Sequence, residues 1–140
     1  MTRLTRRYRF SASHRLHTAA LSEDANRELY GKCNNPWGHG HNYLVEISVT
    51  GAVQRDSGQL VSVSALDDLV HGKVIRDFDH RDLNRDIPVF EDVVPTSENL
   101  AVEIRRRLSL EWPADFPKLA GVRLWETKRN IFELMNEEQQ

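Results

Sequence analysis

Cysteine occurs once in these 140 residues, at Cys33, so no internal disulfide can form and a packed core has to hold the fold. Long hydrophobic runs are missing too. None approaches the roughly 20 residues of a membrane-spanning helix, and Met1 to Tyr8 lacks the apolar core of a signal peptide. Neither sign of charge dominates: 19 Lys and Arg against 21 Asp and Glu give a formal charge of -2, which argues against nucleic acid or a membrane surface as partner. There is no Walker-type phosphate loop, no internal repeat and no low-complexity tract. These absences leave a cytoplasmic globular protein of one domain, 1–140, and its 39% hydrophobic content is enough to bury a core.

What the chain does have is concentrated between Cys33 and Tyr43, where the lone cysteine and two of six histidines occur together. His39 and His41 are two apart, so on an extended segment their imidazoles project to one side. Gly38 and Gly40 flank them and allow close backbone approach. Val45, Ile47 and Val49 then mark one face of a strand. Upstream, Tyr8, Phe10 and Ala12 alternate with Arg7, Arg9 and Ser11, which predicts a strand ending near His14. Antiparallel pairing of the two brings His14, His39 and His41 to one end of a sheet. Three imidazoles with a coordination position left open are the pattern of a catalytic zinc. Beside them Cys33 reads as a reactive thiol, whereas His17 and His71 have no partner pattern and read as ordinary hydrogen-bonded residues.

The rest of the chain supplies the frame. A short helix is possible from Ser22 to Tyr30, in a segment that otherwise reads as loop. Ser64 to Asp67 forms a capping box for a helix whose buried face is Leu66, Leu69, Val70, Val74 and Phe78. Phe78 to Pro95 reads as one long connection. Thr96 is placed to cap a second helix with the stripe Leu100, Ile104 and Leu108, ending by Pro113, and Arg105 to Arg107 read as its solvated face. Residues 119–127, with Val122 and Leu124 on one side, and 130–134 give a third and fourth strand. The class is α+β, in ββααββ order, with a four-stranded antiparallel sheet and two helices on one face.

Ser13-His14-Arg15-Leu16, Gly31-Lys32-Cys33-Asn34-Asn35-Pro36, Gly38-His39-Gly40-His41-Asn42-Tyr43, Asp79-His80, Pro95-Thr96-Ser97-Glu98-Asn99 and Trp125-Glu126-Thr127 together resemble the 6-pyruvoyltetrahydropterin synthases and their 6-carboxytetrahydropterin synthase relatives. The resemblance implies the tunnelling fold, a homohexamer built as a dimer of trimers, and 7,8-dihydroneopterin triphosphate as substrate. It makes His14, His39 and His41 the ligands of Zn2+ and Cys33 the base that takes a proton from the substrate side chain. Asp79 and His80 match the family's proton-shuttling pair. Glu126 matches the carboxylate that anchors the pterin's amino-pyrimidine edge and is coupled to the histidine relay as a catalytic group, and Thr96, Ser97 and Glu98 match the segment that completes the pterin pocket. From bare residue chemistry Cys33 could equally close the zinc shell, and Thr96 could be a plain helix cap. Zinc and pterin-anchoring groups are expected from different subunits. Arg15, Lys32, Lys128 and Arg129 are candidate cations for the triphosphate. The departures from the family, Ser62 in place of the usual Asp or Asn and Lys128-Arg129 after the glutamate, concern the substrate tail.

The expected reaction is a lyase step that eliminates triphosphate and gives 6-pyruvoyltetrahydropterin. The alternative is the 6-carboxy product, formed with loss of acetaldehyde; a further alternative is a non-catalytic pterin-binding homologue. Five residues separate Cys33 from His39 in an Asn-Asn-Pro-containing loop of the biopterin-pathway form, whereas the carboxy-forming enzymes commonly have a shorter spacer.

Overall fold

The computed structural model describes residues 1–135. Its backbone is a pair of 13-residue strands, β1 (Thr2–His14) and β2 (His39–Gly51). They run antiparallel in unbroken register, from Thr2 opposite Gly51 to His14 opposite His39. Because side chains alternate across a strand, this register stacks Tyr8, Phe10 and Ala12 beside His41, Tyr43 and Val45 on one face. Phe10 and Tyr43 stack with ring centroids 5.0 Å apart, and Phe78 closes on Phe10 at 5.7 Å.

The opposite face carries cross-strand polar pairs in the same register. Thr5 and Ser48 share a hydroxyl hydrogen bond of 2.8 Å, Arg7 donates to the buried Glu46 at 2.8 Å, and Ser11 donates to Asn42 at 2.6 Å. Arg123 approaches Glu46 from the next strand at 3.3 Å.

Three further strands, β3 (Arg81–Asp82), β4 (Lys118–Trp125) and β5 (Ile131–Leu134), complete a five-stranded sheet in the order β3-β1-β2-β4-β5. The fifth strand corrects the expectation of four. It is β3, two residues parallel to β1 within the stretch that reads as connection, and two residues are too few to show a period. Tertiary contacts create it: the Asp79 carboxylate accepts from the Ser11 amide at 2.9 Å, and the His80 amide donates to the Ser11 carbonyl at 2.6 Å.

Helix α1 (Glu23–Tyr30) forms as the Ser22 cap suggests, and the fully buried Asn26 on it ties down the preceding loop through Thr18 and Ser22. The cap of the next helix lies two residues before the expected one: α2 (Val63–Val70) is capped by Ser62 instead of Ser64, and the Ser62 hydroxyl accepts from Ala65. It runs through a π-helical turn, His71–Ile75, into α3 (Arg76–Phe78). That wider turn explains how Leu66, Val70, Val74 and Phe78, spaced by four, all stay fully buried. A uniform α-helix would rotate a four-residue spacing steadily off the core. After β3 come the one-turn α4 (Leu83–Asp86) and then α5 (Ser97–Leu110), capped by Thr96. Leu100, Ile104 and Leu108 are buried in one core with the inner face of the sheet.

The arginine run on α5 is only partly solvated. Arg106 is exposed, but Arg107 lies over the Phe78 ring at 4.8 Å and bridges Glu103 at 2.7 Å and Asp77 at 2.6 Å. Glu103 is 4% exposed; burial pushes its carboxyl up, and hydrogen bonds from Arg106 and Arg107 outweigh this and hold it below its ordinary value of 4.5. A depressed carboxylate contributes its stabilisation fully above the unfolded value and loses it as pH falls through the folded one. Glu103→Gln is therefore expected to cost about 1–3 kcal/mol at pH 7 by leaving Arg106 and Arg107 underpartnered. The gap in thermal midpoint between variant and parent should narrow below pH 4.5, checked by calorimetry; a gap independent of pH would refute the ionic account.

Candidate active site

The β1–β2 register delivers the histidines to the sheet end as the strand pattern predicts. His14 and His39 are Cα partners, His41 lies two pairs inward on the same face, and the His41 ring sits 4.9 Å from that of His14 and 4.7 Å from that of His39. His14 is fully buried, and its Nδ1 lies 2.8 Å from the Pro95 carbonyl oxygen. A carbonyl can only accept, so Nδ1 carries the proton and Nε2 carries the lone pair. That Nε2 is buried and has no hydrogen-bond partner among the described residues. A buried nitrogen lone pair without a donor costs free energy unless something fills the position, and a cation is the group that would.

Other donors converge on the same point. His14, Cys33, His41 and Glu126 each place a ligand atom within 4.8 Å of the others. His41 Nε2 stands 3.2 Å from Glu126 Oε1 and 3.8 Å from Cys33 Sγ. Burial keeps the imidazoles of His14 and His41 below the ordinary histidine value, so both are neutral near pH 7 and ready to ligate. Burial, followed by the charge of Glu126, pushes the Cys33 thiol up. A mixed N, S and O set with buried, neutral imidazoles fits a zinc ion. His39 stands outside this tight group as an exposed ring beside His41. Cys33 belongs to it, so geometry leaves the thiol within reach as a ligand.

Local hydrogen bonds set these positions. Cys33 follows α1 in a short 3-10 turn, Gly31–Asn34, and its carbonyl accepts from the Leu16 amide at 2.7 Å. Asn34 is buried and donates to the Leu16 carbonyl at 2.7 Å, so the thiol loop is pinned to the chain leaving β1. Asn84 pairs with the Arg15 backbone in both directions, at 2.8 and 3.0 Å. Sequence reasoning missed Asn34, Asn84 and Pro95 as positioning groups. Asn34 and Pro95 lie inside the family-like motifs, which do not show that they position neighbours, and Asn84 acts through a long-range contact to the Arg15 backbone that leaves no pattern.

The remaining candidates divide. Ser97, buried at the start of α5, donates from its hydroxyl to Glu126 Oε2, so the two segments expected to form the pterin pocket meet. Thr96 serves as the helix cap, accepting from Asn99 at 3.2 Å, and Glu98 is exposed. Glu126 and the histidines share one chain, which corrects the expectation that subunits divide them. Asp79 and His80 lie outside the cluster; they pair at 3.0 Å, with the His80 side chain 83% exposed. The Ser11 amide, first, and then the neighbouring His80 hold Asp79 below the ordinary carboxylate range. His80 has φ 59°, the only left-handed non-glycine among the described residues, a strained state at an exposed imidazole. Lys128 and Arg129 stand in the turn between β4 and β5.

A family model described as 6-pyruvoyl tetrahydropterin synthase matches residues 3–137. The chain belongs to the 6-pyruvoyl tetrahydropterin synthase family. It is 44% identical to the 6-pyruvoyl tetrahydrobiopterin synthase of Poecilia reticulata, over 91% of this chain and 86% of that protein. The solved 6-pyruvoyl tetrahydropterin synthase of Caenorhabditis elegans superposes with a TM-score of 0.87 at 36% identity, covering 97% of this chain and 96% of that one. The 6-carboxy-5,6,7,8-tetrahydropterin synthase of Bacillus subtilis is 37% identical over 64% of this chain and 63% of its own length. Membership of this enzyme family implies a small pterin substrate, and the sheet and helices described above are its tunnelling fold.

The two glycines beside the histidines differ in what they do. Gly38 has φ +82°, and a Cβ there would stand 3.2 Å from the carbonyl oxygen of His14; Gly40 has nothing within 4 Å and no such φ. Gly38→Ala is expected to destabilise the fold by about 1–3 kcal/mol and to shift the His14 end of β1, while Gly40→Ala stays near parent stability. Thermal melts of the two variants decide this, and equal midpoints would show that Gly38 is not required.

Proposed function

We propose that this chain is a zinc-dependent 6-pyruvoyltetrahydropterin synthase, a lyase that converts 7,8-dihydroneopterin triphosphate to 6-pyruvoyltetrahydropterin with loss of triphosphate. The observation that carries the reading is the convergence of Cys33 Sγ and Glu126 Oε1 on His41 Nε2, beside the unpartnered Nε2 of His14. His14, His39 and His41 would hold the ion, which when bound polarises substrate oxygens and acidifies neighbouring groups.

The chain's own residues do the rest. Glu126, oriented by the Ser97 hydroxyl, is an acceptor pair for the two donors of an amino-pyrimidine edge. Cys33 Sγ takes a proton from the substrate side chain, and the electron pair left on carbon expels triphosphate as the carbon–oxygen bond breaks. Burial and then the Glu126 charge raise the thiol, and a cation held near it would favour the thiolate that acts as base. The preference for the pyruvoyl product rests on the five-residue Cys33–His39 spacer and on 44% identity to a synthase of that name over 91% of the chain. The spacer is held in shape by the bond from the Gly38 amide to the Asn35 carbonyl at 2.8 Å.

Mass spectrometry of the pterin formed from dihydroneopterin triphosphate, with zinc measured on the same samples, tests the reading. It should show the pyruvoyl product and about one zinc per chain, both lost in His39→Ala. Acetaldehyde in proportion to triphosphate would assign the carboxy branch, and full zinc in His39→Ala would hand the third ligand to Cys33 or Glu126.

The exposed Asp79–His80 pair is read as serving the site of a neighbouring subunit in a homohexamer. Its motivation is that His80 is strained, paired and outside its own chain's cluster. Refolding inactive Cys33→Ala together with inactive His80→Ala should restore part of the activity through hybrid sites. Mixed oligomers with no activity, or a monomer by light scattering, would overturn this.

A further inference from the structure

Beside the metal-type cluster lies a second feature, a cleft of about 420 Å³ whose walls come from the loop after β1, from α1 and from the 3-10 turn that carries Cys33. Arg15, Arg27 and Lys32 line it, one cation from each of these segments, together with His17, His39 and a single carboxylate, Glu23. The chain as a whole is slightly acidic at -2, so three cations around one concavity are a local concentration of charge and not a general basicity. His39 borders the cleft, and its ring lies 4.7 Å from that of His41. Through His39 the cleft adjoins the four-donor group.

We propose that this cleft is the subsite for the polyphosphate tail of the substrate, with Arg27 on α1 as a tail-binding residue alongside Arg15 and Lys32. The assignment rests on the substrate reading above and sharpens it. Arg15, through its Nε, is already oriented by the Asn34 carbonyl at 3.2 Å, which leaves the outer nitrogens of its fork free. Arg27 pairs only with Asp24, and side-chain exposures of 63% and 90% mark that pair as weak and easily exchanged for a phosphate. Lys32 is exposed beside it. Three cations around a chain of phosphates supply the neutralisation that a Walker loop supplies through backbone amides. Of the cations expected from sequence, Lys128 and Arg129 do not line this cleft, and Arg27 was overlooked because α1 showed little periodicity.

Inorganic tripolyphosphate, titrated calorimetrically into the metal-loaded protein, is the probe, with metal content measured before and after. The parent protein is expected to bind it with an affinity that falls steeply with salt. Arg27→Gln and Lys32→Gln, both at exposed positions, should each weaken binding by roughly three- to tenfold, and Lys128→Gln should leave it unchanged. Equal binding by all variants overturns the assignment, and so does a signal that merely tracks loss of metal to the chelating probe. The same variants separate this inference from the substrate reading. Cleft-dependent tripolyphosphate binding without turnover of dihydroneopterin triphosphate keeps the subsite and removes the reaction. Turnover with KM and tripolyphosphate inhibition unchanged in Arg27→Gln and Lys32→Gln keeps the reaction and removes the subsite.

Discussion

The register between β1 and β2 is the constraint on which the rest depends. His14 faces His39 as a Cα pair, and a slip of one residue would turn every side chain of one strand to the other face. Such a slip would send Tyr8 and Phe10 to the polar side and bring arginines into the core, so the apolar alternation that drives folding also aims the histidines. The polar face works in the same direction. Arg7 with Glu46 and Ser11 with Asn42 meet only in this register, and the buried Glu46 would otherwise keep only the longer contact from Arg123. Site geometry is thus held by the energy of the whole sheet and not by the few contacts around the histidines.

Against that register the sheet end stores a local imbalance. The Pro95 carbonyl fixes the tautomer of His14 and so presents a bare lone pair in a buried place. This links α5 to the metal-type centre, because Pro95 and the Thr96 cap begin the helix whose Ser97 orients Glu126. One helix start therefore fixes the His14 imidazole on one side and the Glu126 carboxylate on the other. A metal ion would remove the imbalance. Stability lost through the unsatisfied nitrogen in the metal-free chain is the expected counterpart of strong binding.

Much of this was legible in the sequence, for definite physical reasons. Period-two alternation named β1 and β2, and Thr96 with its stripe named α5, because each element buries one face and its pattern states which. What stayed hidden depends on contacts between distant segments. β3 exists because Asp79 and His80 bond to Ser11, and Ser62 displaced Ser64 as a cap because either serine satisfies the local rule. Arg107 looked like solvated surface until the fold laid it over Phe78 between two carboxylates. Motif resemblance named the chemistry-bearing residues. It could not say that Glu126 meets His41 within one chain while Asp79 and His80 do not join them.

That division follows from the sheet itself. Inward side chains at the His14 end converge on the cluster, whereas His80 enters through its backbone bond to Ser11, whose side chain belongs to the polar face and bonds Asn42. A residue attached at the β1 edge in a left-handed conformation presents its imidazole outward, and an edge strand of two residues leaves most of the β1 edge unpaired. Open edges call for a neighbour. The edge that β3 leaves open is therefore the edge that carries the exposed Asp79–His80 pair, so the neighbouring subunit proposed above would cover the open edge and reach the imidazole with one surface.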